Sequence, residues 1–97
     1  MNREQVAEYN EQALICDGLD KALIGVAQRI NLCVAAYDVN KIIQILKGQM
    51  YLDKEELELP LDEQDIRREE MSWEYFNFNI KGSWVGNNTP VFIYKSD

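Results

Sequence analysis

Apolar residues along this chain fall into short clusters, and the spacing inside each cluster sets what it can become. Ala13 to Cys16, Ala22 to Ala27 and Leu32 to Tyr37 are brief apolar runs divided by Asp17-Gly18 and by Arg29 to Asn31. Runs of that length separated by turn residues predict strands of an antiparallel sheet. The middle run also fits a helix, because Leu19, Leu23 and Val26 stand at i, i+4 and i+7. Upstream, NREQVAEYNEQA combines good helix formers with few apolar positions and predicts a short, partly frayed helix. Downstream, Val39, Ile42, Ile43 and Leu46 make a stripe at helical spacing, with Asp38 placed to cap it, Lys47 suited to its C-terminal end and Gly48 as the stop. Asp38 to Gly48 therefore reads as a helix with one buried face.

The acidic stretch from Met50 to Pro60 reads as a connector, since Pro60 breaks any helix running through it. A second main helix is expected after Pro60. With Asp62 as its N-cap, Leu61 and Ile66 stand at the positions of a hydrophobic staple, and Glu63 and Asp65 lie at the favourable end of the helix dipole. Residues Tyr75 to Ile80 can be read in two ways. As a strand, Phe76, Phe78 and Ile80 alternate to one side. As a helix continuing to Ile80, Ile66, Trp73, Phe76 and Ile80 fall at about 40°, 20°, 320° and 0° from Asp62, a single face. Met71, Tyr75 and Phe78 then fall at about 180°, 220° and 160°, on the other side. The helical reading is preferred, because it gives Ile66 and Trp73 a shared face and explains Gly82 as a stop. Its consequence is a helix apolar on both sides near its end, with Met71, Tyr75 and Phe78 as a candidate surface for a partner or for self-association. The plainer alternative gives one face to the sheet and the other to the helix beginning at Asp38. Thr89 to Lys95, after the turn Gly86-Asn87-Asn88, is expected to close the sheet.

Together these elements predict one α+β domain: a small antiparallel sheet of three to four strands packed against two main helices. Ninety-seven residues suffice for one core and not for two. A content of 46% hydrophobic and 10% aromatic residues is that of a folded domain, not of a disordered acidic tail. No stretch reaches the roughly 20 apolar residues of a membrane span, and MNREQVAEYNEQ is too polar for a signal peptide, so a cytoplasmic site is expected. On that expectation Asn87-Asn88-Thr89 is a chance glycosylation match.

Charge is unevenly spread. Of the formal net charge of −7, the segment Asp53 to Glu70 holds nine acids against three bases. Without a basic stripe to release counterions, direct nucleic-acid binding is disfavoured and a basic protein partner is the simpler expectation.

Several pieces of the chain resemble a pattern found in small uncharacterised proteins of tailed bacteriophages. They are Asp17-Gly18-Leu19-Asp20-Lys21-Ala22-Leu23-Ile24-Gly25, Ala36-Tyr37-Asp38 before a helix, Glu74-Tyr75-Phe76-Asn77-Phe78-Asn79-Ile80 with Gly82, and Trp84-Val85-Gly86-Asn87-Asn88-Thr89-Pro90. The resemblance implies a helical Glu74 to Ile80 and a host bacterial cytoplasm. It carries no assigned activity and no catalytic residues. The acidic stretch between Tyr51 and Glu70 departs from that pattern.

Chemistry-bearing residues are sparse. The chain has no histidine, which removes the commonest general base and metal ligand. Cys16 and Cys33 stand in apolar runs, far from a CxxC spacing, and read as buried small hydrophobes. The glycines are too dispersed for a phosphate-binding loop. No enzyme activity and no cofactor are expected. Asp17 and Asp20, beside Gly18, form a close carboxylate pair able to hold a hard cation or a ligand, although turn and cap chemistry explains the same residues. Trp84 with Asn87 and Asn88 can likewise form a recognition loop or a packed turn.

Two functions remain in view. The first is a non-catalytic phage-type inhibitor or modulator of a host protein, including one that binds nucleic acid, since rows of carboxylates can occupy a site shaped for phosphates. Its acidic edge would comprise Glu55, Glu56 and Glu58 with Asp62, Asp65 and Glu69 on the second helix. A solvated helix face accounts for the same charges. The second is a homodimer or other self-associating accessory protein, assembled through the Met71, Tyr75 and Phe78 face.

Overall fold

The computed structural model describes residues 1–83 and 86–95. Helix α1 (Arg3–Tyr9) is short but firmly started. Asn2 accepts a hydrogen bond from the Gln5 N–H while the Gln5 side chain accepts one from the Asn2 N–H, both at 2.9 Å. Two otherwise orphaned donors at the helix start are thereby satisfied together. Val6 is the residue α1 buries. At the far end, the Asn10 side chain donates to the Cys33 carbonyl and to Asn88 Oδ1, fixing α1 to the sheet.

Strands β1 (Leu23–Gln28) and β2 (Cys33–Asp38) form an antiparallel hairpin. The middle apolar run is therefore extended, and helical geometry is limited to one 3₁₀ turn, Asp20–Ala22, just before it. Gly18 has a φ of +81°, a backbone state that favours glycine in the turn leading there. The first apolar run, Ala13 to Cys16, is not a strand. Its N–H groups find single partners, Leu14 donating to the Asn88 carbonyl and Cys16 to the Tyr37 hydroxyl, rather than a ladder.

Helix α2 (Val39–Lys47) follows β2 directly. Asp38 caps it by accepting from the Lys41 N–H, and Val39, Ile42, Ile43 and Leu46 are buried as their spacing predicts. Helix α3 (Leu61–Tyr75) starts two residues earlier than expected, with Pro60 at the cap position and the Gln64 N–H bonded to the Pro60 carbonyl. Asp62 is thus inside the helix and is not its N-cap. Leu61 and Ile66, at 82% and 54% exposure, bury no staple.

Beyond Tyr75 the chain stays coiled as a π-helical turn, Phe76–Lys81. The helical reading of Tyr75 to Ile80 is correct, and Gly82 ends the coil: a Cβ there would lie 3.2 Å from the Asn77 carbonyl oxygen.

The chain returns through α2 and α3 to strand β3 (Val91–Ile93), which pairs with β2 in parallel. The fold is α+β with a sheet in the order β1-β2-β3. It is mixed rather than wholly antiparallel, because a long helical crossover delivers β3 in the same direction as β2. Tyr37, Ile42, Ile43, Val6 and Phe76 fill the interior. Phe76 stands edge-on to Phe92 at 5.3 Å and to Trp73 at 6.1 Å, and Trp73 stacks on Tyr94. The molecule measures 51 × 25 × 23 Å.

Candidate functional site

A π turn inserts one residue into a helical turn and shifts the faces that follow it. Phe76, where the π turn begins, is fully buried, while Phe78 two residues on is 80% exposed. Tyr75 is 46% exposed and Met71 half-buried. With Met50 they line a shallow groove bordered by Arg67 and Glu74. The structure therefore brings Met71, Tyr75 and Phe78 together. In one copy of the chain α2 and the sheet cover the opposite side of α3, and this side stays open.

The inward face holds Phe76, with Trp73 and Ile80 packed against the core, as expected, and departs from the expected one at Ile66. Gln64, Ser72 and Phe76 are buried and Arg68 half-buried, a line of positions four apart, whereas Ile66 faces outward. Two of those buried residues are polar, so apolar spacing alone could not find the whole face. Ser72 donates to the Arg68 carbonyl at 2.7 Å, and Gln64 donates to the carbonyls of Leu57 and Leu59.

Of the acidic positions, Glu56 is held by Arg67, which also reaches Glu70 at 3.5 Å. The Arg67 guanidinium, followed by the Asp53 N–H, lowers the Glu56 pKa. Asp65 pairs with Lys47 at 2.9 Å, and Glu69 is half-buried. Glu55, Glu58 and Asp62 are exposed and make no ion pair among the described residues. The row of carboxylates is thus interrupted by bound bases along its length.

Asp17 and Asp20 do converge on a cation, and the cation is Arg3. Its guanidinium lies 3.1 Å from Asp17 and 2.9 Å from Asp20, and both carboxylates raise its pKa. The pair therefore ties α1 to the turn before β1. Asn88 is engaged by Asn10 and Leu14, and a hollow beside it is lined by Arg29, Ile30 and Asn87. Trp84 lies outside the described residues.

Cys16 is buried and Cys33 half-buried, and both are free thiols. Burial pushes the Cys16 thiol up to about 11 and the Tyr37 phenol up to about 12. A thiol so rarely ionised is a poor nucleophile. No three His, Cys, Asp or Glu side chains among the described residues gather as metal ligands would.

Sequence reasoning passed over Leu57 and Leu59, both exposed, and the outward setting of Leu61. The available signal was the strict alternation Glu56-Leu57-Glu58-Leu59-Pro60-Leu61-Asp62 in a stretch where Pro60 denies these leucines a buried helical stripe.

No protein-family model, curated protein or solved structure matches the chain. No helix among the described residues is long and apolar enough to cross a membrane.

Proposed function

We propose that this chain is a non-catalytic, phage-type binding protein that modulates a host protein in the bacterial cytoplasm. The observation that carries the reading is the open face of Met71, Tyr75 and Phe78 at the end of the longest helix. A phenylalanine left four-fifths exposed beside a tyrosine and two methionines offers the aromatic anchor and adaptable surround common at interfaces. The excess of acid along residues 53–70 supports a partner with basic surface, with charge guiding encounter and apolar contact holding the complex. The interruptions at Glu56 and Asp65 favour that division of labour over imitation of a phosphate backbone by the acids alone, and a nucleic-acid-binding host protein remains one such basic partner. Direct contact with nucleic acid or membrane forms no part of the reading.

Phe78→Glu tests it. Recovery of host proteins on the immobilised wild-type chain and on the variant should differ by at least one protein lost from the variant, while sedimentation gives a monomer mass for both. Identical recoveries would refute the reading. A doubled wild-type mass that halves in the variant would replace it with self-association through the same face, which the net charge of −7 opposes most strongly at low salt.

A further inference from the structure

The connector between α2 and α3 is acidic, yet two of its side chains, and that of the first residue of α3, are exposed leucines. Leu57 is 54% exposed, Leu59 38% and Leu61 82%. A loose loop would be free to fold such residues inward. This one is held so that it does not. Asp53 and Glu56 cap one another's backbone N–H groups at 2.8 and 3.2 Å. Glu56 is tied to Arg67 on α3. Gln64, nine-tenths buried, spends both amide hydrogens on the loop, donating to the Leu57 carbonyl at 3.0 Å and the Leu59 carbonyl at 2.8 Å. Leu59 and Glu58 N–H groups close the 3₁₀ turn on Glu56 and Glu55 carbonyls, and the Pro60 carbonyl accepts from Gln64. The backbone from residue 53 to 64 is thereby fixed while its leucine side chains remain in water.

We infer that Leu57, Leu59 and Leu61 form a preorganised docking loop that inserts into an apolar groove bordered by basic side chains on a partner protein. The chemistry of the occupant follows from what alternates with the leucines. Glu55, Glu58, Asp62 and Glu63 are exposed and unpaired among the described residues, and Lys54 is the one base between residues 53 and 63. An apolar surface without basic flanks would bury those carboxylates beside nothing that compensates them. A basic surface without an apolar groove would leave the leucines in water. A second copy of this chain is the poorer occupant, because it brings its own net charge of −7 against these carboxylates. Fixing the loop before binding removes ordering cost that a flexible peptide of the same sequence would meet. The inference rests on the chain being a protein-binding module but uses residues distinct from Met71, Tyr75 and Phe78.

The test uses the full chain and a labelled amphipathic helical peptide of leucine and lysine, with leucines on one face and lysines flanking them. Fluorescence anisotropy gives its affinity, and amide shifts of the isotope-labelled chain give its location. Shifts confined to residues 55–64, and a loss of about tenfold or more in the double variant Leu57→Ser/Leu61→Ser, are the expected results. Leu61→Ser alone, altering the most exposed of the three, should weaken binding in the same direction and guards against a folding defect. Phe78→Glu should bind within about twofold of wild type. An unchanged affinity in the leucine variants, an absence of binding, or equal binding of a peptide with serines in place of its leucines would overturn the inference. Loss in Phe78→Glu with the leucine variants intact would overturn it while supporting the helix face as the docking surface. Loss in both would overturn the claim of a separate loop site.

Discussion

Helices α2 and α3 lie side by side and meet the interior with different chemistry. α2 buries Val39, Ile42, Ile43 and Leu46, a continuous aliphatic stripe. α3 buries Gln64 and Ser72 and presents its first fully buried aromatic, Phe76, only in the π turn. One helix is held by apolar area removed from water; the other is anchored at its end and kept close along its length by small or hydrogen-bonded polar groups. The second arrangement leaves α3 with apolar residues it does not need for folding. Ile66, Tyr75 and Phe78 are where they went.

The sharpest way to break this comparison is to truncate a large side chain on each face of α3. Phe76→Ala should cost about 3–5 kcal/mol, because a fully buried ring touching Trp73 and Phe92 leaves a cavity the narrow core cannot close. Ile42→Ala, the counterpart on α2, should cost about 2–5 kcal/mol. Ile66→Ala should stay within about 0.5 kcal/mol of wild type. Urea unfolding measures all three. A loss at Ile66 comparable to that at Ile42 would mean that α3 is rotated from the setting described.

Why α2 was legible in the sequence and α3 only in part follows from the same contrast. Asp38, the aliphatic stripe and Gly48 each signal the same helix, and all of them act locally. The coiled state of Tyr75 to Ile80 was likewise visible, since only a helix brings Trp73 and Phe76 to one side. The inward face was legible at Trp73, Phe76 and Ile80 but not earlier along α3, because Gln64 and Ser72 carry no apolar signal and Ile66 carries a misleading one. The parallel pairing of β3 and the absence of a strand at Ala13 to Cys16 depend on a crossover and on single bonds to Asn88 and Tyr37, which no local pattern encodes. For the candidate surfaces, the sequence placed Met71, Tyr75 and Phe78 together but not the ion pairs that engage Glu56, Asp65 and Asp17/Asp20, since those partners come from distant parts of the chain.

The sheet end of the core offers the next largest effect. Tyr37, fully buried, accepts the Cys16 N–H at 2.8 Å, and Tyr37→Phe would leave that buried donor unsatisfied at a cost of about 1–3 kcal/mol. Both groups have acid pKa values raised by burial, Cys16 to about 11 and Tyr37 to about 12. Their contribution is complete below the unfolded-state values and is lost as pH rises through the folded ones. Wild-type stability should therefore fall as pH rises above about 9. Tyr37→Phe should fall less steeply, and equal slopes in alkaline urea titrations would count against the phenol as a contributor.

A smaller effect separates the start of α2 from its stripe. Asp38 is buried; burial alone would raise its pKa, but Lys95 at 3.1 Å and the N–H groups of Lys41 and Asn40 together lower it. Asp38→Asn keeps a capping oxygen and removes the charge facing Lys95. Because Lys95 is half-exposed and screened, the loss at neutral pH should be about 0.5–1 kcal/mol. A lowered folded-state pKa contributes stability above the unfolded value and loses it as pH falls through the folded one. The gap between wild type and Asp38→Asn should thus close in acid, below about pH 4. A gap that persists there would assign the loss to cap geometry instead of charge.

The smallest effect discriminates most directly between the two kinds of helix packing. Ser72 is fully buried and donates its hydroxyl to the Arg68 carbonyl, one turn back on the same helix. Ser72→Ala removes that bond and orphans nothing, since the helical N–H of residue 72 still reaches the same carbonyl. Alanine is also the better helix former by a few tenths of a kcal/mol. If α3 lies close to its neighbours because position 72 is small, Ser72→Ala should change stability by no more than about 0.5 kcal/mol, and Ser72→Val should destabilise by about 1–3 kcal/mol through overpacking. A large loss in Ser72→Ala would instead mean that the hydroxyl itself holds the helix in place. The polar face of α3 would then be a bonded contact, where closeness alone accounts for the rest of its packing.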